Sequence, residues 1–375
     1  MKALVAVVIC VLTAAPVAGA SFAPKNAGLV RTAARLSGLP VRRAVTEQTL
    51  SGRRYDAALA SAAAREYPRS LRNVDESLYA RLGLLPSGAA VQLTPKTSAS
   101  RAWYDPRTRK LLLRRAPAPQ RRHLINELVH ALVDQNFDLR RLRGLRGRDR
   151  DRALAADGIV DGTAALAADL RSSTVRGTPL ERFLQLDSSV SAGRALAAEL
   201  RYLGGSRAIA SALRSFPRTT EQLLHVDKFL EREPALPIGV PARVGRLKLR
   251  AVETFGELDV RSLLRAFGVP GAAAVAEGWG GGSLALYVSS EGQTTAALAL
   301  RWDTFDDATE WRAAISRYVG SAFPGAAARE CPPLDGCWSG ASELAAAALG
   351  TTSVFASGPD AATLAGAVLK PYLTL

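Results

Sequence analysis

The chain has 375 residues, 48% hydrophobic and 22% charged, with a mean hydropathy of +0.04. That balance excludes a disordered or fibrous protein, and the length exceeds what one core usually holds, so a large and a small domain are expected. The formal charge of +15 and pI near 10.3 raise nucleic acid as a partner, but only seven of the 49 basic residues are Lys and the Arg are spread along the whole chain, so no nucleic-acid footprint is expected.

Residues 1–20 read as a secretory signal: Met1-Lys2, an apolar run over 3–17, then Ala18-Gly19-Ala20 as a small-residue cleavage site. Cys10 lies inside the run, not at its end, which argues against lipid modification. The run is close to the minimum spanning length, so a membrane-anchored form is the alternative to a secreted, extracytoplasmic one. After cleavage two cysteines remain, Cys331 and Cys337, and in an oxidising compartment they predict a disulfide closing a small loop, worth about 2 kcal/mol.

Helical spacing predicts helices over 51–67 and 70–84, with Pro68 between them and Pro86 closing the second. Segment 101–115 predicts a β-hairpin around Asp105-Pro106, and 120–137 a helix. An Arg-rich stretch, 140–152, follows. It contains no aromatic residue, and reads as a solvated loop in preference to a patch for anionic polymer or lipid headgroups. Further helices are expected through 161–170, near 192–203 and over 206–216. Another opens at a capping box formed by Thr219 and Gln222. Residues 233–240 read as a linker. Beyond them come strands over 284–288 and 295–302, a helix over 306–319, and a strand then helix at 351–356 and 361–369. The fold class expected is α+β: a mainly helical domain over 21–232, then a small α+β domain over 241–375. The glycines 278–282 lack the spacing and trailing helix of a phosphate loop.

The helix over 120–137 is the one segment that carries chemistry. His123, Glu127, His130 and Asp134 form one stripe opposite an apolar face, which on periodicity alone is usually just solvated. Yet Asn126-Glu127-Leu128-Val129-His130 is one substitution from H-E-x-x-H, in which two imidazoles one turn apart hold Zn²⁺ and the Glu polarises the metal-bound water. Asp161 lies where a third ligand on the following helix would be needed. His123 is about 10 Å along the axis from His130, too far to share an ion.

With these residues the chain resembles the secreted bacterial zincin-like metallopeptidases of the gluzincin type. Trp103-Tyr104-Asp105-Pro106 matches that family's aromatic-Tyr-Asp-Pro hairpin, and residues 126–139 match a helix of the type H-E-L-T-H-A-L-x-D-Q-x-F-D-L. Residues 160–164 match a V-E-G-x-A segment that supplies a ligand Glu, and 219–225 match S/T-T-E-Q-x-L-H-P with Val226 in place of the Pro. The likeness continues into 278–281 and 301–304. The resemblance implies a zincin-like fold with a hairpin above the active-site helix. It further implies Glu127 as general base and zinc held by His130, the position of Asn126 and that of Asp161.

Two of the ligand positions depart from this pattern. Asn126 replaces the first His with a weak, neutral donor, and Asp161 replaces the ligand Glu with a shorter side chain. Zinc is therefore expected to be weak or absent, and the favoured expectation is a metallopeptidase-like protein that binds a peptide or protein ligand without hydrolysing it. The alternative is an active zinc peptidase rebuilt on His130, Asp161 and His225 beside Glu127. A third expectation is a basic binding protein on an anionic cell-envelope surface.

Overall fold

The computed structural model describes residues 26–91, 101–171, 177–184 and 186–372. The signal-like residues 1–20, Cys10 among them, lie outside these. The helical part contains α1 (Ala27–Ser37), β1 (Thr46–Leu50), α2 (Gly52–Glu66), α3 (Arg69–Arg81), β2 (Ala102–Asp105), β3 (Lys110–Arg114), α4 (Arg121–Phe137), α5 (Arg150–Ala168), α6 (Pro179–Phe183), α7 (Leu186–Arg214), α8 (Thr220–Leu224) and α9 (Val226–Glu231). The expected hairpin is β2–β3, with Trp103 opposite Leu112 and Tyr104 opposite Leu111. A strand not read from the sequence, β1, lies parallel to β3 and completes a three-stranded sheet in the order β1-β3-β2.

The helices expected at 192–203 and 206–216 are two, which meet at non-helical Gly204 and Gly205 and together span α7. Gly205 adopts φ +63°, which favours glycine and sets the bend. The helix expected to open at Thr219 is two short ones, α8 and α9, which meet at His225. The Thr219 hydroxyl accepts from the Gln222 amide at 3.1 Å, while the Gln222 side chain turns to the Arg218 amide at 2.9 Å. The capping box is therefore only half formed.

The second part contains β4 (Arg243–Val244), β5 (Leu247–Thr254), α10 (Glu257–Ala266), α11 (Ala272–Glu277), β6 (Trp279–Val288), β7 (Thr294–Trp302), α12 (Phe305–Ala322), β8 (Ala327–Arg329), β9 (Gly336–Ser339), β10 (Leu344–Leu349), β11 (Thr352–Ser357) and α13 (Ala361–Leu369). Its strands form one antiparallel eight-stranded sheet, β4-β5-β6-β7-β11-β10-β9-β8. The molecule is thus α+β, helical first and sheet-rich second. Leu364 and Val368 of α13 cover one face of the sheet. The other face is covered by α10, α11 and α12, and by Leu78 and Tyr79 of α3 with Leu82 just after it. The Tyr318 hydroxyl donates to the Leu82 carbonyl at 2.7 Å across that packing.

Residues 233–240 run flat against β6. The Leu236 amide donates to the Gly280 carbonyl at 2.7 Å, and a Cβ on Gly281 would meet the Leu236 carbonyl oxygen at 2.1 Å. The glycine cluster is therefore a bed for the connecting segment. Cys331 and Cys337 are disulfide-bonded. Among the described residues no helix is long and apolar enough to cross a membrane.

Candidate functional site

Helix α4 is walled in on almost every side. Besides its apolar residues, Glu127 and Asp134 are buried, so the stripe read from the sequence is not a solvated face. The core around it joins α1, the hairpin, α5 and α7 through Leu128, Val129, Leu132, Leu111, Ile159 and Leu196.

Each buried carboxylate has a structural task. The Tyr104 amide of β2 donates to Glu127 Oε2 at 2.8 Å, and Asn126 Nδ2 donates to Glu127 Oε1 at 3.2 Å. Burial pushes the Glu127 carboxyl up from its ordinary range, while His130 and these two donors pull the other way. Two turns further on, Asp134 accepts from the Tyr104 hydroxyl at 2.7 Å and from the Leu139 amide at 2.8 Å, with Arg109 and Arg43 beside it. Gln135 accepts from the amides of Arg42 and Arg43 and donates to the Arg43 carbonyl, and Asn136 donates to the Pro40 carbonyl. The helix thus clamps the hairpin with Glu127 and Asp134 and the 40–43 segment with Gln135 and Asn136. Asp105 closes its own turn by accepting from the Arg107 amide and the Thr108 hydroxyl.

Asp161 comes from α5, which crosses α7 at a contact with no room for side chains. A Cβ on Gly162 would lie 2.1 Å from the Gly193 carbonyl carbon, and one on Gly193 would lie 1.8 Å from the Gly158 carbonyl oxygen. This crossing sets Asp161 opposite α4, where its Oδ1 is 3.8 Å from His130 Nε2, with both side chains part-exposed.

The sequence-read ligands therefore separate into a pair and an outlier. His130 and Asp161 are brought together. His225 is not with them: its Nε2 lies 3.0 Å from both carboxylate oxygens of Glu257, at the N-terminus of α10. That hydrogen bond raises the His225 pKa, and burial raises Glu257. Asn126 holds Glu127 rather than facing an open position. A catalytic zinc needs three protein donors converging on one point, and among the described residues His130, Asp161 and His225 do not form such a group. The residues present do not fit the ion.

Among the described residues one trio of carboxylates does converge, Glu221, Glu233 and Asp303. Its centre is taken by Lys228, whose ammonium pairs with all three, at 3.3 Å to Glu233 and 2.7 Å to Asp303. Burial pushes Glu221 up to about 7 against the pull of that ammonium. The trio is an internal ion-pair cluster, and no sequence signal used above pointed to it.

Part of the Arg-rich stretch is also paired internally. Arg140 pairs with Asp138, Arg141 caps the end of α7 by donating to the Arg214 carbonyl, Arg146 pairs with Asp75, and Arg150 is buried against Asp259 at 2.9 Å. It is a largely exposed connecting loop, with Arg143, Arg148 and Arg152 at the surface, stapled to its neighbours at Arg141, Arg146 and Arg150.

A family model described as a domain of unknown function (DUF8575) matches residues 245–367, the sheet-rich part. No curated protein and no solved structure is matched by the chain.

Proposed function

We propose that the chain is a metallopeptidase-like scaffold, zincin-like in its helical part, that acts by binding a peptide or protein and not by hydrolysing it. The observation that supports this is the state of the would-be catalytic groups. Asn126 and Tyr104 satisfy Glu127, and Glu257 holds His225. This leaves His130 and Asp161 as two donors where a working site needs three. With two donors in place of three, the site gives Glu127 no firmly held metal-bound water to deprotonate.

A second reading, an active zinc peptidase with a non-standard ligand set, draws support from the same pair: His130 faces Asp161, and Glu127 sits three residues away on the same helix with a raised pKa. One experiment separates the two readings. Zinc is measured by elemental analysis on the protein purified with zinc present, together with cleavage of an unfolded protein substrate, for the natural chain, His130→Ala and Asn126→His. The binding reading expects no stoichiometric zinc and no cleavage in the natural chain, with zinc uptake gained in Asn126→His. One zinc per chain that His130→Ala removes, with cleavage that Glu127→Gln abolishes, would sink it.

A further inference from the structure

We infer that the corner where α1 meets the bend of α7 is a docking surface for an anionic lipid bilayer. The two segments that build it carry only one sign of charge. From Ala27 to Thr46 and from Leu200 to Arg218 there is no Asp or Glu, while each segment contains four Arg. The structure joins them: Arg201 donates to the Leu36 carbonyl at 2.9 Å, and Gly38 lies so close to Ser206 that a Cβ there would approach the Ser206 Cβ to 2.2 Å. Arg31, Arg35 and Arg207 are exposed and form no ion pair among the described residues, unlike Arg140, Arg146 and Arg150.

At the tip of this corner the chain exposes apolar groups. Tyr202 is 91% exposed, Leu203 57% and Val41 43%. Tyr202 and Leu203 sit immediately before the Gly204-Gly205 bend, which turns the helix back and leaves them protruding. A soluble polyanion would reward the arginines but not these side chains. A bilayer rewards both, because tyrosine and leucine settle at the headgroup boundary while arginine pairs with anionic headgroups. The apolar run 3–17 also precedes α1 in sequence, with nine residues between them.

The test is co-sedimentation of the full chain with vesicles of phosphatidylglycerol in phosphatidylcholine, against phosphatidylcholine alone and against dextran sulfate in solution. Each arginine near the surface is worth about fivefold in partitioning. R31Q/R35Q/R207Q is therefore expected to bind the anionic vesicles at least about tenfold more weakly, and Tyr202→Ser with Leu203→Ser to weaken vesicle binding but not polyanion binding. The charge-matched control R243Q/R250Q/R317Q, on exposed arginines of the second part, is expected to bind like the natural chain. Because the run 3–17 is present in every variant, a second measurement reads the tip itself. In Tyr202→Trp, brominated lipid is expected to quench more fluorescence than in the natural chain. Three results would overturn the inference: no preference for anionic vesicles, equal losses in the corner and control variants, or no additional quenching at position 202.

Discussion

Substituting Gly162 tests whether the α5–α7 crossing is the packing constraint that places Asp161. A methyl group needs about 3.5 Å from its neighbours. On Gly162 it would sit 2.1 Å from the Gly193 carbonyl carbon and 2.2 Å from the Arg194 nitrogen, so α5 and α7 must separate by more than about 1 Å. The obstacle is backbone and cannot rotate aside, which puts the cost near the upper end of the overpacking range, about 3 kcal/mol. Against this, alanine improves helix propensity by about 1 kcal/mol. The clash wins, and Gly162→Ala is expected to be destabilising by about 2 kcal/mol, a fall of about 5 °C in melting temperature followed by circular dichroism. Gly320→Ala and Gly366→Ala are the counter-test, since both glycines lie in helices with nothing within 4 Å of the added Cβ. There the propensity term acts alone, and each is expected to raise stability by about 0.5–1 kcal/mol. A Gly162→Ala protein as stable as the natural one, or all three variants moving in the same direction, would refute the reasoning.

Other perturbations give equally definite expectations. Burial holds the Asp151 carboxyl up to about 8 and, together with Asp75, raises that of Glu253. The folded state therefore keeps protons that the unfolded chain releases at ordinary carboxylate pKa values, so this stability is full below about pH 4 and lost as pH rises through about 8. The urea midpoint is expected to fall between about pH 5 and about pH 9, and Glu253→Gln to flatten the fall; a rising midpoint would contradict this. His225→Ala strands the buried Glu257 and is expected to cost about 2 kcal/mol in denaturant titration, without changing metal content. Because Glu257 raises the His225 pKa, the gap between variant and natural protein should be full below about pH 6 and narrow as pH rises above the ordinary histidine range. Reducing Cys331–Cys337 is expected to lower stability by about 2 kcal/mol, read as a shift in the same titration.

What the sequence discloses, and what it hides, follows from how local each signal is. The hairpin at Asp105, helix α4 and the Cys331–Cys337 bond rest on turn chemistry, periodicity and proximity, all read within a few residues. Strand β1 is different: Thr46-Glu47-Gln48-Thr49-Leu50 is polar and mostly exposed, and it is a strand only because β3 lies beside it. Strand β5 does alternate, Leu247-Lys248-Leu249-Arg250, which is a local and legible strand signal. At the site, the facing of His130 and Asp161 was legible from spacing. The capture of His225 by Glu257 was not, because the two lie in different parts of the chain and meet only through the packing of α8 on α10.

That division also bears on the proposal that the chain keeps a peptidase-like helix without hydrolysing its ligand. Glu127 ties α4 to β2, Asp134 anchors Tyr104 and the end of the helix, and Gln135 and Asn136 hold the 40–43 segment. Losing any of them would leave buried or interhelical groups unpaired, so the fold alone is reason to keep them. Position 126 carries no such burden beyond its contact with Glu127, and among the described residues the one ion pair of Asp161 is with His130 across the gap. The two departures from the H-E-x-x-H pattern and its ligand Glu thus fall where the packing demands least, and the matches in α4 fall largely where it demands most. A scaffold relieved of catalysis but still required to fold would show this distribution. A catalytic site rebuilt on new ligands would instead show a third donor turned toward His130 and Asp161, and the residue available for that role, His225, is turned to Glu257.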